Sequence, residues 1–250
     1  MRRKIFAANW KMHLGPREAS AFCKEFLTLI EPDARKEWVI FPPAVSLSAL
    51  QESLKGTNVH FGGQNCYFEE KGAFTGETSP KMLKELGSTF CLVGHSERRQ
   101  LFGETDSTCA KKIKILLEIG IIPMLCVGET QKERDGGQTV EVLKNQLVAG
   151  LSTWSVDFPL TVAYEPVWAI GTGKVATPQM AEEAHVEIRR ILGEITQNRQ
   201  RTAEIQILYG GSVKPDNSRE LIALPNIDGF LVGGASLQPK TFAQIGQLPL

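Results

Sequence analysis

The sequence has no excess of either charge. Across 250 residues, 28 Lys and Arg face 28 Asp and Glu, a formal net charge of 0. Without a basic field the chain is poorly suited to general nucleic-acid binding. Long hydrophobic runs are missing too. Stretches such as Gly120–Val127 fall well short of the roughly 20 apolar residues a membrane helix requires. The basic start Met1-Arg2-Arg3-Lys4 is followed by too short an apolar segment for a signal peptide. Cysteines are few and odd in number: Cys23, Cys66, Cys91, Cys109 and Cys126, with no CxxC or zinc-like spacing. A reduced cytoplasmic protein with buried thiols is therefore expected, with Cys91 and Cys126 acting as small core residues. The four histidines, His13, His60, His95 and His185, show no metal-ligand spacing. Two nucleotide signatures are also lacking, a G-x-G-x-x-G after the first strand and a P-loop.

What is present is ordinary globular composition, 42% apolar and 22% charged, undivided by any low-complexity tract or linker. One domain over residues 1–250 is expected. Short apolar, β-branched runs occur at Ile5–Trp10, Trp38–Pro42, Val59–Gln64, Phe90–Gly94, Ile121–Val127, Leu160–Tyr164, Ile205–Tyr209 and Gly229–Val232. They are continuous rather than alternating, as parallel strands buried on both faces should be. Between them lie helical patterns at Pro16–Ile30, Asp106–Ile119 and Thr139–Leu151. Ser79-Pro80 and Thr177-Pro178 read as N-caps followed by proline at the first helical position. Eight strands alternating with helices predict a (β/α)8 barrel of the α/β class, a TIM barrel. A doubly wound open sheet is the alternative, because periodicity does not show closure.

In such a barrel the reactive groups follow the strands, at the C-terminal face. That rule selects Asn9 and Lys11, Gln64 and Asn65, His95 and Glu97, Glu129, Glu165, Gly210-Gly211-Ser212 and Gly233-Gly234. A carboxylate at Glu165, closing an apolar strand, is desolvated and so becomes a stronger base at neutral pH. His95 precedes a predicted helical turn, whose N–H groups disfavour a cationic ring; a neutral imidazole N–H is an electrophile toward a carbonyl oxygen. Lys11 offers a point cation for an anionic substrate, or, if desolvated, a Schiff-base nucleophile. The Gly-Gly turns after the last two strands match the common barrel phosphate site. The segment Pro166, Val167, Trp168, Ala169, Ile170, Gly171, Thr172, Gly173, Lys174, Val175, Ala176 has a rigid start, an apolar middle and two glycines. It reads as a lid with hinges at Pro166–Trp168 and Lys174–Ala176. The long loop Asn65–Ser79, bearing Tyr67, Phe68 and Phe74, suggests a protein interface.

Each of these residues taken alone is compatible with a structural role; together they converge on one barrel face. Five segments carry a further signal: NWKM at Asn9–Met12, VGHSERR at Val93–Arg99, AYEPVWAIGTGK at Ala163–Lys174, YGGSV at Tyr209–Val213 and LVGGASL at Leu231–Leu237. Spread over essentially the whole chain, they resemble the triosephosphate isomerase family. The resemblance implies cofactor-free and metal-free interconversion of dihydroxyacetone phosphate and D-glyceraldehyde 3-phosphate through an enediol(ate), in glycolysis and gluconeogenesis. It assigns Glu165 as base and His95 as neutral electrophile, roles long established for that family. It further implies that Lys11 stabilises the enediolate and attracts phosphate, that Asn9 hydrogen-bonds the substrate and that Glu97 orients Lys11. The phosphate would rest on backbone N–H groups of Gly171, Ser212, Gly233 and Gly234. Tyr209 and Ser212 would hold the closed lid, Ser212 through the Gly173 region. The family's dimer loop would be Asn65–Ser79, with Thr75 beside the site of the second subunit and Glu77 pairing with the partner's Arg98. Alternative readings are a sugar-phosphate epimerase, a lysine-dependent aldolase and a non-catalytic binding barrel.

Overall fold

The structure is a computed structural model and describes residues 2–170 and 176–248. Eight strands, β1 (Lys4–Asn9), β2 (Lys36–Phe41), β3 (Val59–Gly63), β4 (Phe90–Val93), β5 (Ile122–Val127), β6 (Thr161–Tyr164), β7 (Gln206–Tyr209) and β8 (Gly229–Val232), pair in sequence order, all parallel. The ring closes where β1 pairs with β8 in the register Ile5↔Gly229 to Ala8↔Val232. Closure settles the choice the sequence left open: the chain is a (β/α)8 barrel and not an open doubly wound sheet.

Alternation along the strands sorts side chains into two layers. Ile5, Ala7, Val39, Phe41, Phe90, Leu92, Met124, Cys126, Ala163, Leu208 and Leu231 form one apolar cluster, which fills the barrel lumen. Their neighbours, such as Phe6, Trp10, Trp38, Val162, Tyr164 and Tyr209, belong to the larger cluster between strands and helices. All five cysteines are buried and unpaired, with Cys91 and Cys126 fully enclosed as expected.

The helices cover the outside. Ser79 Oγ and Thr177 Oγ1 accept the Met82 and Met180 N–H groups, so both predicted caps form, each followed by proline at the helix start. The expected helix Pro16–Ile30 ends earlier, at Phe26, because the chain tightens into i→i+3 turns there, Thr28 N–H to Glu25 O and Leu29 N–H to Phe26 O. Leu27, Leu29 and Ile30 still pack on the core, which is why the apolar pattern outlasts the helix. Strand ends likewise shift by one or two residues. Among the described residues no helix is long and apolar enough to cross a membrane.

Candidate active site

Lumen parity decides which side chains reach the mouth. Asn9, Glu165, Gly210 and Gly233 each fall two residues beyond a lumen residue of their strand (Ala7, Ala163, Leu208 and Leu231), so all four face the C-terminal opening. His95 does not follow from this rule. Phe90 and Leu92 point inward and Cys91 and Val93 outward, so continued alternation would send residue 95 to the helix layer. Gly94 intervenes with φ +71°, a left-handed conformation that favours glycine and turns His95 into the mouth. Close approach also favours glycine at 210, where a Cβ would lie 3.1 Å from both Glu165 Cγ and Tyr164 O.

These residues line a cavity of about 480 Å³, shared by Asn9, Lys11, His95, Glu165, Ser212, Gly233 and Gly234. Glu165 is only 2% exposed. His95 Nε2 donates to its Oε1 at 2.9 Å, and the Ser96 N–H donates to its Oε2 at 2.8 Å. His95 is the N-cap of the helix Ser96–Leu101, and its Nδ1 accepts the Glu97 N–H at 3.3 Å. That N–H fills the Nδ1 lone pair and assigns the ring proton to Nε2. The helix start thus selects the Nε2–H tautomer of the neutral ring. Electrostatics push in both directions on the ring. Burial lowers its pKa, but the nearby Glu165 and Glu97 carboxylates outweigh burial and hold it above the ordinary value. Burial also acts against the Glu165 anion; His95, the Ser96 N–H and Lys11 prevail, so its pKa lies below the usual carboxylate range.

Lys11 is set by three other side chains. Its ammonium lies 2.5 Å from Glu97 Oε1. Its backbone is left-handed, φ 50°, a strained state for a non-glycine residue. Asn9 Oδ1 accepts the Lys11 N–H at 3.1 Å, and Gln64 Nε2 donates to Lys11 O at 2.8 Å and to Phe41 O at 2.9 Å. Gln64 is thus a support for Lys11, a role invisible in the sequence, where it stood only as a residue after a strand.

Two residues of the same rule lie elsewhere. Asn65 accepts from Lys112 Nζ at 2.7 Å, away from the cavity. Glu129 is fully buried on the outer side of β5. It accepts from Tyr164 Oη at 3.1 Å, Trp168 Nε1 at 2.9 Å and Arg134 Nη1 at 2.8 Å. It anchors the first hinge of the expected lid, where Val167–Ala169 form a single 3-10 turn. Gly171, Thr172, Gly173, Lys174 and Val175 lie outside the described residues, so the Gly171 and Gly173 assignments do as well. Tyr209 Oη is buried with no hydrogen-bond partner among the described residues. Thr75 and Glu77 are exposed on the long loop, where Tyr67 stacks on Phe68 and meets Phe74 at a tilt, with ring centres 4.1 and 4.3 Å apart. Among the described residues no three His, Cys, Asp or Glu side chains gather as a metal ion would require.

Known proteins are similar to this chain over nearly its whole length. A family model described as triosephosphate isomerase matches residues 4–248. A protein of that name from Bdellovibrio bacteriovorus is 51% identical over 246 residues, covering 98% of this chain and 100% of its own. Those from Solibacter usitatus and Thermoanaerobacter pseudethanolicus are 45% and 46% identical, each over 98% of this chain and 99% of its own. By the barrel, the matched motifs and this full-length similarity, the chain belongs to the triosephosphate isomerase family.

Proposed function

We propose that this chain interconverts dihydroxyacetone phosphate and D-glyceraldehyde 3-phosphate, by proton transfer next to a carbonyl and through an enediol(ate), with Glu165, His95, Lys11 and Asn9 as the groups in contact with substrate. One observation carries the assignment of roles. A buried carboxylate and a neutral imidazole N–H stand 2.9 Å apart in the cavity that also holds Lys11 and the Gly-Gly turns.

The geometry supplies a sequence of events. Both Glu165 oxygens are occupied by donors, so this carboxylate is a held base. A substrate carbonyl oxygen that takes the His95 Nε2–H releases Oε1. Glu165 then keeps its burial but has lost a stabilising donor, and its pKa rises toward what a base needs. The carbon-bound proton passes to Glu165, while His95 and Lys11 meet the charge that develops on the substrate oxygens. Glu97 holds the Lys11 ammonium at 2.5 Å, which suits an electrostatic role better than the amine nucleophile of an aldolase. Backbone N–H groups at Ser212, Gly233 and Gly234, with Gly171 of the lid, would cradle the phosphate. The proton donor, acceptor and cation are all side chains, so the chemistry calls for no cofactor. Lid closure over the site keeps water from an enediolate that would otherwise expel phosphate. Tyr209 Oη, buried and without a hydrogen-bond partner among the described residues, supports its place as a latch for that closure.

The same reading includes a homodimer. Met12, Val45, Leu101 and Phe102 are exposed apolar side chains, the kind a second subunit would cover. The loop Asn65–Ser79, with Thr75 and Glu77, would cover them from a second copy, Glu77 meeting the partner's Arg98. A mass near twice 27.6 kDa at micromolar concentration is expected; a mass of 27.6 kDa alone removes the dimer. Five free buried thiols suit a cytoplasmic setting.

The test of function is turnover of D-glyceraldehyde 3-phosphate by purified protein, read through a coupled glycerol-phosphate dehydrogenase with chelator present. Rapid, chelator-insensitive turnover is expected. A folded protein that gives none is not an isomerase of this substrate.

A further inference from the structure

Among the described residues the cavity has a cation, Lys214, that neither the quoted motifs nor the proton transfer uses. Lys214 lines it together with Ser212, Gly233 and Gly234. A clamp fixes where Lys214 stands: Asn217 Oδ1 accepts the Lys214 N–H at 2.8 Å, and Asn217 Nδ2 donates to Ser212 O at 3.0 Å. One side chain thus braces both ends of the turn from Ser212 to Lys214. Pro215 follows and begins the helix Pro215–Ile222. The Lys214 side chain is exposed and makes no ion pair among the described residues.

Charge bookkeeping shows what it is for. Lys11 and Glu97 neutralise each other at 2.5 Å, and His95 is neutral, so Glu165 leaves the cavity with one net negative charge before Lys214 is counted. Lys174 lies outside the described residues and does not enter this sum. A phosphate monoester carries roughly −1.5 to −2 near pH 7. A further cation at the mouth offsets the Glu165 charge for an approaching anion, beyond what the N–H groups of the phosphate turn supply at contact. We infer that Lys214 is an electrostatic steering residue: its ammonium, at the turn that carries Ser212, offsets Glu165 and draws the phosphate-bearing substrate into the cavity without taking part in proton transfer. This rests on the reading of the cavity as a triose-phosphate site.

Steering by an exposed charge is screened by salt, whereas a contact that positions the reacting atoms is not. The test compares wild type with Lys214→Gln, Lys214→Arg and Lys144→Gln. The last removes the same charge from an exposed position on the outer helix Thr139–Gly150. For Lys214→Gln, kcat/KM is expected to fall about three- to tenfold at about 10 mM ionic strength, where the Debye length is about 30 Å, and to come within about twofold of wild type at about 150 mM. Its kcat stays within about twofold at both salts, and Lys214→Arg and Lys144→Gln keep the wild-type salt dependence. A Lys214→Gln protein with the wild-type salt slope overturns the inference. So does one in which kcat falls and KM does not, because that marks a positioning role. A second arm measures binding of inorganic phosphate to wild type and Lys214→Gln by calorimetry at low salt. Weaker binding to the variant by about the same factor supports the inference, and equal binding sinks it. Wild-type protein that binds phosphate but turns over no triose phosphate refutes the isomerase reading instead, and the calorimetry still decides the role of Lys214.

Discussion

His95 Nε2 stands 2.9 Å from Glu165 Oε1, on the far side of the carboxylate from the Ser96 N–H, which lies 2.8 Å from Oε2. The carboxylate is held ionised and aimed, and in the proposed reaction it reaches the substrate by exchanging partners. Reach is therefore what matters. Glu165→Asp keeps the charge but draws the carboxylate back by one methylene. A misplacement of about 1 Å costs on the order of 10²-fold in rate, so kcat should drop by about that much or more, with KM little changed. Steady-state kinetics on both substrates checks this. A variant as fast as wild type would mean that Glu165 does not take the proton.

The turn of His95 into the mouth depends on Gly94, and Gly94→Ala tests that dependence. A Cβ at this left-handed position would lie 2.8 Å from Arg99 Nη2 and 2.9 Å from Cys109 Sγ. Arg99 is not free to yield, since its Nε donates to Gly94 O at 2.7 Å and its Nη1 meets Asp106 at 2.5 Å. Strain and crowding together should cost about 1 to 3 kcal/mol. Turnover of the protein that remains folded should fall at least about tenfold, because His95 is re-aimed. Urea midpoints and kcat are the measurements. Full stability with full turnover would show that the kink is not needed to aim the ring.

How much of this was legible depends on which physical rule placed each residue. The eight strands stood out as apolar runs because parallel strands buried on both faces have no polar side. Asn9 and Glu165 followed from strand ends, and their lumen parity agrees. Closure was not legible, since pairing of Ile5 with Gly229 joins the two ends of the chain. His95 breaks the alternation, and the only local signal for that is the glycine before it. Lys11 sits at φ 50° because Asn9 and Gln64 hold its backbone, and contacts between separate strands leave no periodic trace. Glu129 obeyed the strand-end rule but has the outward parity, which made it an anchor for Trp168 and not a lining residue.

Tyr209 offers a separation of stability from function. Its hydroxyl is buried without a partner among the described residues, and burial pushes its pKa up to about 12. Removing an unsatisfied buried hydroxyl does not weaken a ligand-free protein, since no hydrogen bond is lost. Tyr209→Phe should therefore unfold at the wild-type urea midpoint or slightly above it. If the hydroxyl latches the closed lid, kcat should fall about tenfold or more, and a larger share of turnovers should end in released inorganic phosphate. Malachite-green phosphate release alongside the coupled assay reads both. Wild-type turnover with wild-type phosphate loss would take Tyr209 out of the lid mechanism.

His185 predicts the acid limb of stability. It lies on the helix Pro178–Thr196, fully buried, with Nδ1 against Asn226 O at 3.0 Å and its ring beside Tyr164 and Tyr209. Burial lowers its pKa to about 4; the Asn226 carbonyl and Asp228 oppose this, and Arg189 and Lys4 assist it. The unfolded chain binds this proton near pH 6.5 and the native chain near pH 4, so the contribution is fully present above about 6.5 and is lost as pH falls toward 4. The gap between the two values corresponds to roughly 3 kcal/mol, shed at about 1.4 kcal/mol per pH unit. His95 has the opposite sign, its pKa being raised, so the raw pH profile mixes the two. The difference between wild type and His185→Gln isolates one of them. At fixed protein concentration, the stability gap between these proteins should shrink by about 2 to 3 kcal/mol in favour of the variant between pH 7 and pH 4.5, measured by urea unfolding. A gap that stays constant over that range would mean that His185 takes up its proton alike in the folded and unfolded chains, so that burial does not lower its pKa.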